Sequence, residues 1–298
     1  MLKKLISVID YRYLSLVVLT YGFGISISHY LGNPIVWSSF WNGILWIIGI
    51  LISSFYLRNY FKKQSEKVYP KGIFLEKGGI DLQQETNMLK GNLLIGITWL
   101  AVSIIPFMNL TFVKKDFAIT MIFMLLHMGL TYLVVFFPGI LSRTGLMEFV
   151  NTFIVANLVP AIGFTLQSNG MHRLLLTLTF PLMFLYFVFF IIFTLQDCER
   201  SEEAYRCSIV RTMGTMKIID LHNLLIVFGY LSMILGVLFY VPWKLIWPPL
   251  ITLPLGAIQI WQINQLRKDG NLAISPLVLN AIATAGFSTY FLLVTLWL

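Results

Sequence analysis

The stretch LQDCERSEEAYRC, Leu195 to Cys207, follows a long apolar run and holds four carboxylates: Asp197, Glu199, Glu202 and Glu203. Acids gathered there are either a solvated helix end or the remains of a site that holds a metal and a phosphate. Hard divalent cations favour the second use, because they take oxygen ligands and bridge them to phosphate oxygens. Spacing sorts the group. Thr194, Asp197 and Ser201 stand at 0, +3 and +7, along one face of a helix, and Asn59, Lys62 and Glu66 repeat that spacing in YLRNYFKKQSEKVYP. Glu199, Glu202 and Glu203 fall off the Asp197 face and read as solvated. Two such faces at the mouths of two helices would pinch one ligand between them.

The elements that carry those mouths must be membrane helices. Of the 298 residues, 58% are hydrophobic and only 11% charged, with mean hydropathy +0.81. Soluble domains carry roughly 25% charged residues, so this composition excludes an ordinary soluble enzyme. Nine stretches are long enough to cross a hydrocarbon core, at about 13–31, 37–57, 91–110, 117–138, 146–167, 173–196, 221–240, 243–261 and 277–297. Runs of this length are helices, not barrel strands. The first has no small-residue cleavage site before it and reads as a retained span. The expected fold is an all-α integral membrane protein, with nine transmembrane helices in two four-helix halves plus a ninth helix, forming one domain over 1–298.

Charge sets the expected orientation. Seventeen of the 21 Lys and Arg residues fall on the side that holds Lys3, Lys4 and Arg12, which places the N-terminus and both polar loops in the cytoplasm and the C-terminus outside. The formal net charge of +8 then reports topology and anionic lipid, not nucleic acid. The two long polar connections, 58–90 and 197–220, follow the second and sixth spans.

These loops, with LSRTGLMEFVNTFIVANLVPAIGFTLQ before the second, resemble the UbiA superfamily of membrane prenyltransferases. The nearest branch is the 1,4-dihydroxy-2-naphthoate polyprenyltransferase-like one of the menaquinone pathway. Met147-Glu148-Phe149-Val150 stands where the family has a Gly-Glu-Leu-Val-like stretch. Phe193 to Ser201 stands in its Asn-Asp-x-x-Asp-x-x-x-Asp motif, followed by Arg206 and a run ending at Gly214. Arg58 to Glu66 resembles Asn-Asp-Tyr-Phe-Asp-x-x-x-Asp, and GIFLEKGGIDLQQ resembles a Gly-x-Ile segment. The resemblance covers nearly the whole chain. It implies transfer of a prenyl chain from an isoprenyl diphosphate to a hydrophobic, aromatic or quinone-precursor acceptor, with Mg²⁺ on the acidic motifs, in a prokaryotic plasma membrane.

This chain keeps the register and loses most of the acids. Of six positions that the resemblance marks as acidic, Asp197 and Glu66 are acids, while Asn59, Lys62, Thr194 and Ser201 are not. Three readings follow. A divergent prenyltransferase would hold one Mg²⁺ on Asp197 and Glu66, with Asn59, Lys62, Lys63 and Arg206 on the diphosphate. A catalytically inactive relative would hold an isoprenoid lipid or partner an active enzyme. A transporter would need ionisable residues at mid-depth, and His127 is the main one.

Other polar residues have blander expectations. Asn42, Asn151, Asn157 and Asn280 are expected to tie helices together, Asn151 and Asn157 also being candidates to line a chamber. Arg12 is expected to snorkel to headgroups, and Glu148 to favour a helix start. Trp37, Trp41, Trp243, Trp247 and Trp261 suit an interfacial belt. Cys198 and Cys207 are expected to stay reduced thiols in the cytosol.

Overall fold

The computed structural model describes residues 8–68, 82–113, 118–168, 170–200, 208–239, 241–269 and 274–298, and among them every regular element is helical. The long elements are α1 (Tyr11–Tyr30), α2 (Trp37–Val68), α3 (Leu82–Val113) and α4 (Ala118–Phe136). A short α5 (Pro138–Thr144) leads to α6 (Met147–Phe153), a π-helical turn (Ile154–Leu158) and α7 (Val159–Gln167). Then come α8 (Arg173–Arg200), α9 (Ser208–Met213), α10 (Thr215–Leu235), α11 (Trp243–Ile246), α12 (Leu253–Asp269) and α13 (Ile274–Trp297).

Among the described residues, seven helices are long and apolar enough to cross a membrane: 37–61, 88–112, 118–136, 147–167, 173–198, 215–239 and 274–297. Seven of the nine expected spans correspond to these helices. The two remaining stretches differ for separate reasons. α1 is helical over 20 residues but carries Thr20, Ser26 and Ser28, all buried against neighbouring helices. The expected span at 243–261 is broken into α11, a 3₁₀ turn over Pro249–Thr252 and α12. Pro242, Pro248, Pro249 and Pro254 supply no backbone N–H, so an unbroken helix cannot run through them.

Proline also explains the π turn. Pro160 cannot donate to the carbonyl four residues back, and the helix passes into that position through Ile154–Leu158. The same residue sets a close crossing with α1. A Cβ on Gly24 would lie 2.0 Å from the Pro160 carbonyl oxygen, and one on Gly163 would lie 2.6 Å from the Tyr21 carbonyl oxygen. Only glycines let these backbones touch, as small residues do between membrane helices.

α2 and α3 form a hairpin, joined to α4 by polar contacts. Ser53 Oγ donates to the Gly96 carbonyl at 2.7 Å, and the Tyr132 hydroxyl donates to Ser53 Oγ at 2.8 Å. In the second half α8 packs on α10 and α13, and α13 returns to α1, where Trp297 Nε1 donates to Ser26 Oγ at 2.8 Å. Asn42 and Asn280 tie helices as expected. Asn42 accepts from Asn109, and Asn280 donates to the Leu255 carbonyl and to Gln262. One buried apolar cluster runs through both halves. Trp37, Trp41, Trp243, Trp247 and Trp261 remain about half exposed or more, as an interfacial belt requires.

Candidate functional site

α1 starts, α2 passes Asn59, α6 starts and α8 ends at one end of the bundle, and aromatic rings fix them there. Tyr13 meets Phe55 edge-on at 5.9 Å between ring centroids and Phe190 at 5.6 Å. Phe55 lies one turn before Asn59, and Phe190 one turn before Thr194. Tyr13 thus holds the two motif helices at the same level, and the Phe55 and Phe190 rings can be no further apart than those two distances together. Phe189 and Phe193 extend this aromatic floor along α8. α4 reaches the same end, where Phe136 meets Phe61 of α2 at 5.3 Å.

Above the floor sits a fixed guanidinium. Asp10 caps α1 by accepting from the backbone N–H groups of Arg12 at 3.0 Å and Tyr13 at 3.4 Å. Its carboxylate also takes Arg12 Nε at 3.3 Å and Nη2 at 3.2 Å. Arg12 Nη1 donates to Gln196 Oε1 on α8 at 3.2 Å, and the guanidinium carbon lies 4.9 Å from the centre of the Phe193 ring. Three of its five N–H groups are used inside the protein. The side chain is 39% exposed, so the rest can meet a ligand. The expectation that Arg12 snorkels to headgroups is corrected: a capped helix start and a buried glutamine on the second motif helix hold it at the mouth.

Thr194 and Glu148 form the second polar pair. Thr194 Oγ1 donates to Glu148 Oε1 at 2.9 Å, joining the end of α8 to the start of α6. Glu148 lies in the first turn of α6, as expected, but it is only 2% exposed. A carboxylate from α6 therefore stands beside position 194 of α8. Asp197 lies half-buried one turn further along α8, and Asn59 half-buried on α2.

The remaining expected site residues divide in two. Lys62, Lys63, Glu66, Ser201 and Arg206 lie outside the residues whose side chains the structure describes. Asn151 on α6 and Asn157 in the π turn are half-buried, and the Asn157 side-chain nitrogen has no hydrogen-bond partner. Asn92 was not expected. It lies on α3, 1% exposed with neither side-chain polar atom bonded, one turn from Gly96, which packs on Leu57 of α2. A single Asn inside an apolar run gives no sequence signal beyond its polarity.

The described donors do not make a magnesium cage. Mg²⁺ takes near-octahedral oxygen ligands with carboxylates among them. Among the described residues, no three His, Cys, Asp or Glu side chains are grouped to hold a metal, and the Thr194 hydroxyl proton is committed to Glu148. A cation fixed at this end is Arg12, paired with the Asp10 carboxylate. The cysteine expectation is corrected for Cys198, which is disulfide-bonded; Cys207 lies outside the described residues.

No protein-family model matches this sequence, and no curated protein matches it. Among solved structures the chain matches a UbiA homolog from Archaeoglobus fulgidus bound to GPP and Mg²⁺. The TM-score is 0.61, the identity 15%, and the match covers 94% of this chain and 99% of that one. The fold is UbiA-like. At that identity the likeness concerns the fold alone and selects no branch of the superfamily. Within that fold, Arg12, Asn59, Glu148, Thr194 and Asp197 gather at one end of the bundle.

Proposed function

We propose that this protein binds an isoprenyl diphosphate at the mouth between α1, α2 and α8, and transfers the prenyl chain to an aromatic or quinone-precursor acceptor. The observation that carries the reading is Arg12, held by Asp10 and Gln196 over Phe193, where Tyr13 joins both motif helices. A guanidinium presents paired N–H groups that suit phosphate oxygens. The rings of Tyr13, Phe55 and Phe190 lie directly beneath, where an allylic cation would develop. In the reaction the allylic carbon–oxygen bond breaks and its electrons leave with the diphosphate. A ring carbon of the acceptor forms the new bond and loses its proton. Arg12 offsets the charge that grows on the leaving group, and Lys62, Lys63 and Arg206 would add to it. We place the mouth on the cytoplasmic side of a prokaryotic plasma membrane, from the distribution of Lys and Arg.

The test is a titration of purified full-length protein in detergent with geranyl diphosphate, with and without Mg²⁺. Arg12→Ala is expected to weaken binding at least about tenfold, the effect of losing one charge-assisted contact. Asp197→Ala should abolish any part of the binding that needs Mg²⁺. Unchanged affinity in both variants would sink the reading. A second reading, a non-catalytic relative that holds an isoprenoid, is favoured by the Thr194–Glu148 bond, because it commits a position that the resemblance marks for metal. That relative would bind geranyl diphosphate and transfer it to no acceptor.

A further inference from the structure

Halfway along the first half lie buried polar side chains that the mouth does not use. His127 is the middle residue of the span Ala118–Phe136, and Asn157 the middle residue of the span Met147–Gln167. α4 packs directly against the π turn that carries Asn157, and the two spans run in opposite directions, so both residues lie at the same depth. His127 is 2% exposed and its Nδ1 has no partner. Thr131 follows one turn later on the same buried face of α4 and its hydroxyl has none either. A helical threonine ordinarily returns its hydroxyl to the carbonyl four residues back, as Thr152, Thr165 and Thr284 do here. Thr131 does not. The Asn157 side-chain nitrogen is likewise unbonded, in a π turn, a feature that recurs at functional sites.

Unpaired polar groups in the hydrocarbon region are costly, and ionisable ones there mark function by default. We propose that His127, Thr131 and Asn157 form a hydrogen-bonding site at mid-depth for the hydroxyl of a neutral aromatic ring, a phenol or quinol. The donor set fits such an oxygen. Neutral imidazole Nδ1 accepts the hydroxyl proton, the Asn157 amide donates to the oxygen, and the Thr131 hydroxyl does either. No charged partner accompanies them among the described residues of that face, so a carboxylate would be buried uncompensated. The inference rests on the proposed function, in which the ring is the acceptor. His127 lies nine residues from the mouth end of α4, about 14 Å by helical rise. A ring held there by its far oxygen turns its opposite edge toward the diphosphate.

The test uses the full chain in nanodiscs, titrated with 1-naphthol, 1-methoxynaphthalene and naphthalene, with empty nanodiscs subtracted. 1-Naphthol should bind at least about tenfold tighter than the other two, the factor that one well-made hydrogen bond provides. His127→Phe and Asn157→Leu should each erase that preference, and Thr131→Val should reduce it. Equal affinity for all three probes, or a preference that survives both His127→Phe and Asn157→Leu, would overturn the site. Should His127→Phe fail to fold by size-exclusion chromatography, Asn157→Leu and Thr131→Val carry the test. Geranyl diphosphate is titrated into the same samples. Its failure to bind, with the naphthol preference intact, counts against the mouth and not against this site; the converse result condemns this site alone.

Discussion

In the second half of the bundle, residues 173–297, the Tyr230 hydroxyl meets the Thr252 carbonyl at 2.8 Å and the Thr252 hydroxyl at 2.9 Å, and that hydroxyl meets Ser288 at 2.7 Å. In the first half, residues 11–167, Asn92, His127 and Thr131 are also buried, and both Asn92 side-chain polar atoms, His127 Nδ1 and the Thr131 hydroxyl have no partner. The contrast extends beyond these examples. Of the nine buried side-chain atoms without a partner among the described residues, eight lie in the first half and one, Gln259 Oε1, in the second. Buried polar groups in native proteins are nearly always paired, so exceptions concentrated in one half need a cause. Away from the mouth end of α8, the second half closes its buried hydrogen bonds on itself almost throughout. The first half leaves several open, among them those of the mid-depth site proposed above.

The harshest way to break this comparison is to force open the first half. α1 packs on α7 of its own half and on α8 and α13 of the second. Gly24→Val puts a branched side chain where even a Cβ would stand 2.0 Å from the Pro160 carbonyl oxygen. Backbone cannot yield as a side-chain tip can. The expected cost exceeds about 4 kcal/mol, read as loss of the monodisperse peak in fluorescence-detected size-exclusion chromatography. A well-folded Gly24→Val protein would mean that α1 is a loose strap on its own half.

A smaller effect tests the closed half. Thr252→Val keeps the shape and removes the hydroxyl that joins Tyr230 to Ser288. It leaves Ser288 without that bond and Tyr230 with the Thr252 carbonyl alone. The expected loss is about 1–3 kcal/mol, seen as a fall in the thermal unfolding midpoint in detergent. No fall would show that the network is incidental.

Much of the fold was legible, because long apolar runs in a lipid-compatible composition leave few alternatives to helices. Arg173–Arg200 begins where hydropathy begins, whereas Trp37–Val68 outruns the expected end at 57, since charged residues stop an apolar run without stopping a helix. The 243–261 span failed on its prolines, whose spacing hydropathy does not weigh. The 0, +3, +7 register put Thr194 and Asp197 on one face of a helix but was silent on bonds to other helices. Glu148 is 46 residues from Thr194, and Arg12 is 184 from Gln196. Periodicity reports faces within one helix, and these bonds run between helices. His127 was visible only as a rare polar residue. Its lack of a partner is a property of packing that no spacing encodes.

The open half has its own signature, opposite in sign to that of Thr252. His127→Leu removes a buried imidazole that has no partner at Nδ1 and replaces it with an apolar side chain. An unpaired buried polar group costs about 1–3 kcal/mol, so the variant should hold or gain stability, by about 1 kcal/mol after the shape mismatch is deducted. The midpoint in ligand-free detergent should stay level or rise. A fall of similar size to that of Thr252→Val would mean that His127 is paired after all, and the distinction between the halves would collapse.

The faintest effect belongs to the surface of the closed half. Arg267 Nη2 and Asp220 Oδ1 form an ion pair between α12 and α10, with side chains 44% and 66% exposed. Water screens such a pair and both side chains lose rotamer freedom to hold it, so its value is about 0–1 kcal/mol. Arg267→Ala should shift the unfolding midpoint hardly at all, and 1 M salt should leave the wild-type midpoint in place, because charges that exposed are already screened. A clear loss would locate part of the closed half's rigidity at its rim, outside the Tyr230–Thr252–Ser288 network. Buried bonding would then no longer be what separates the two halves.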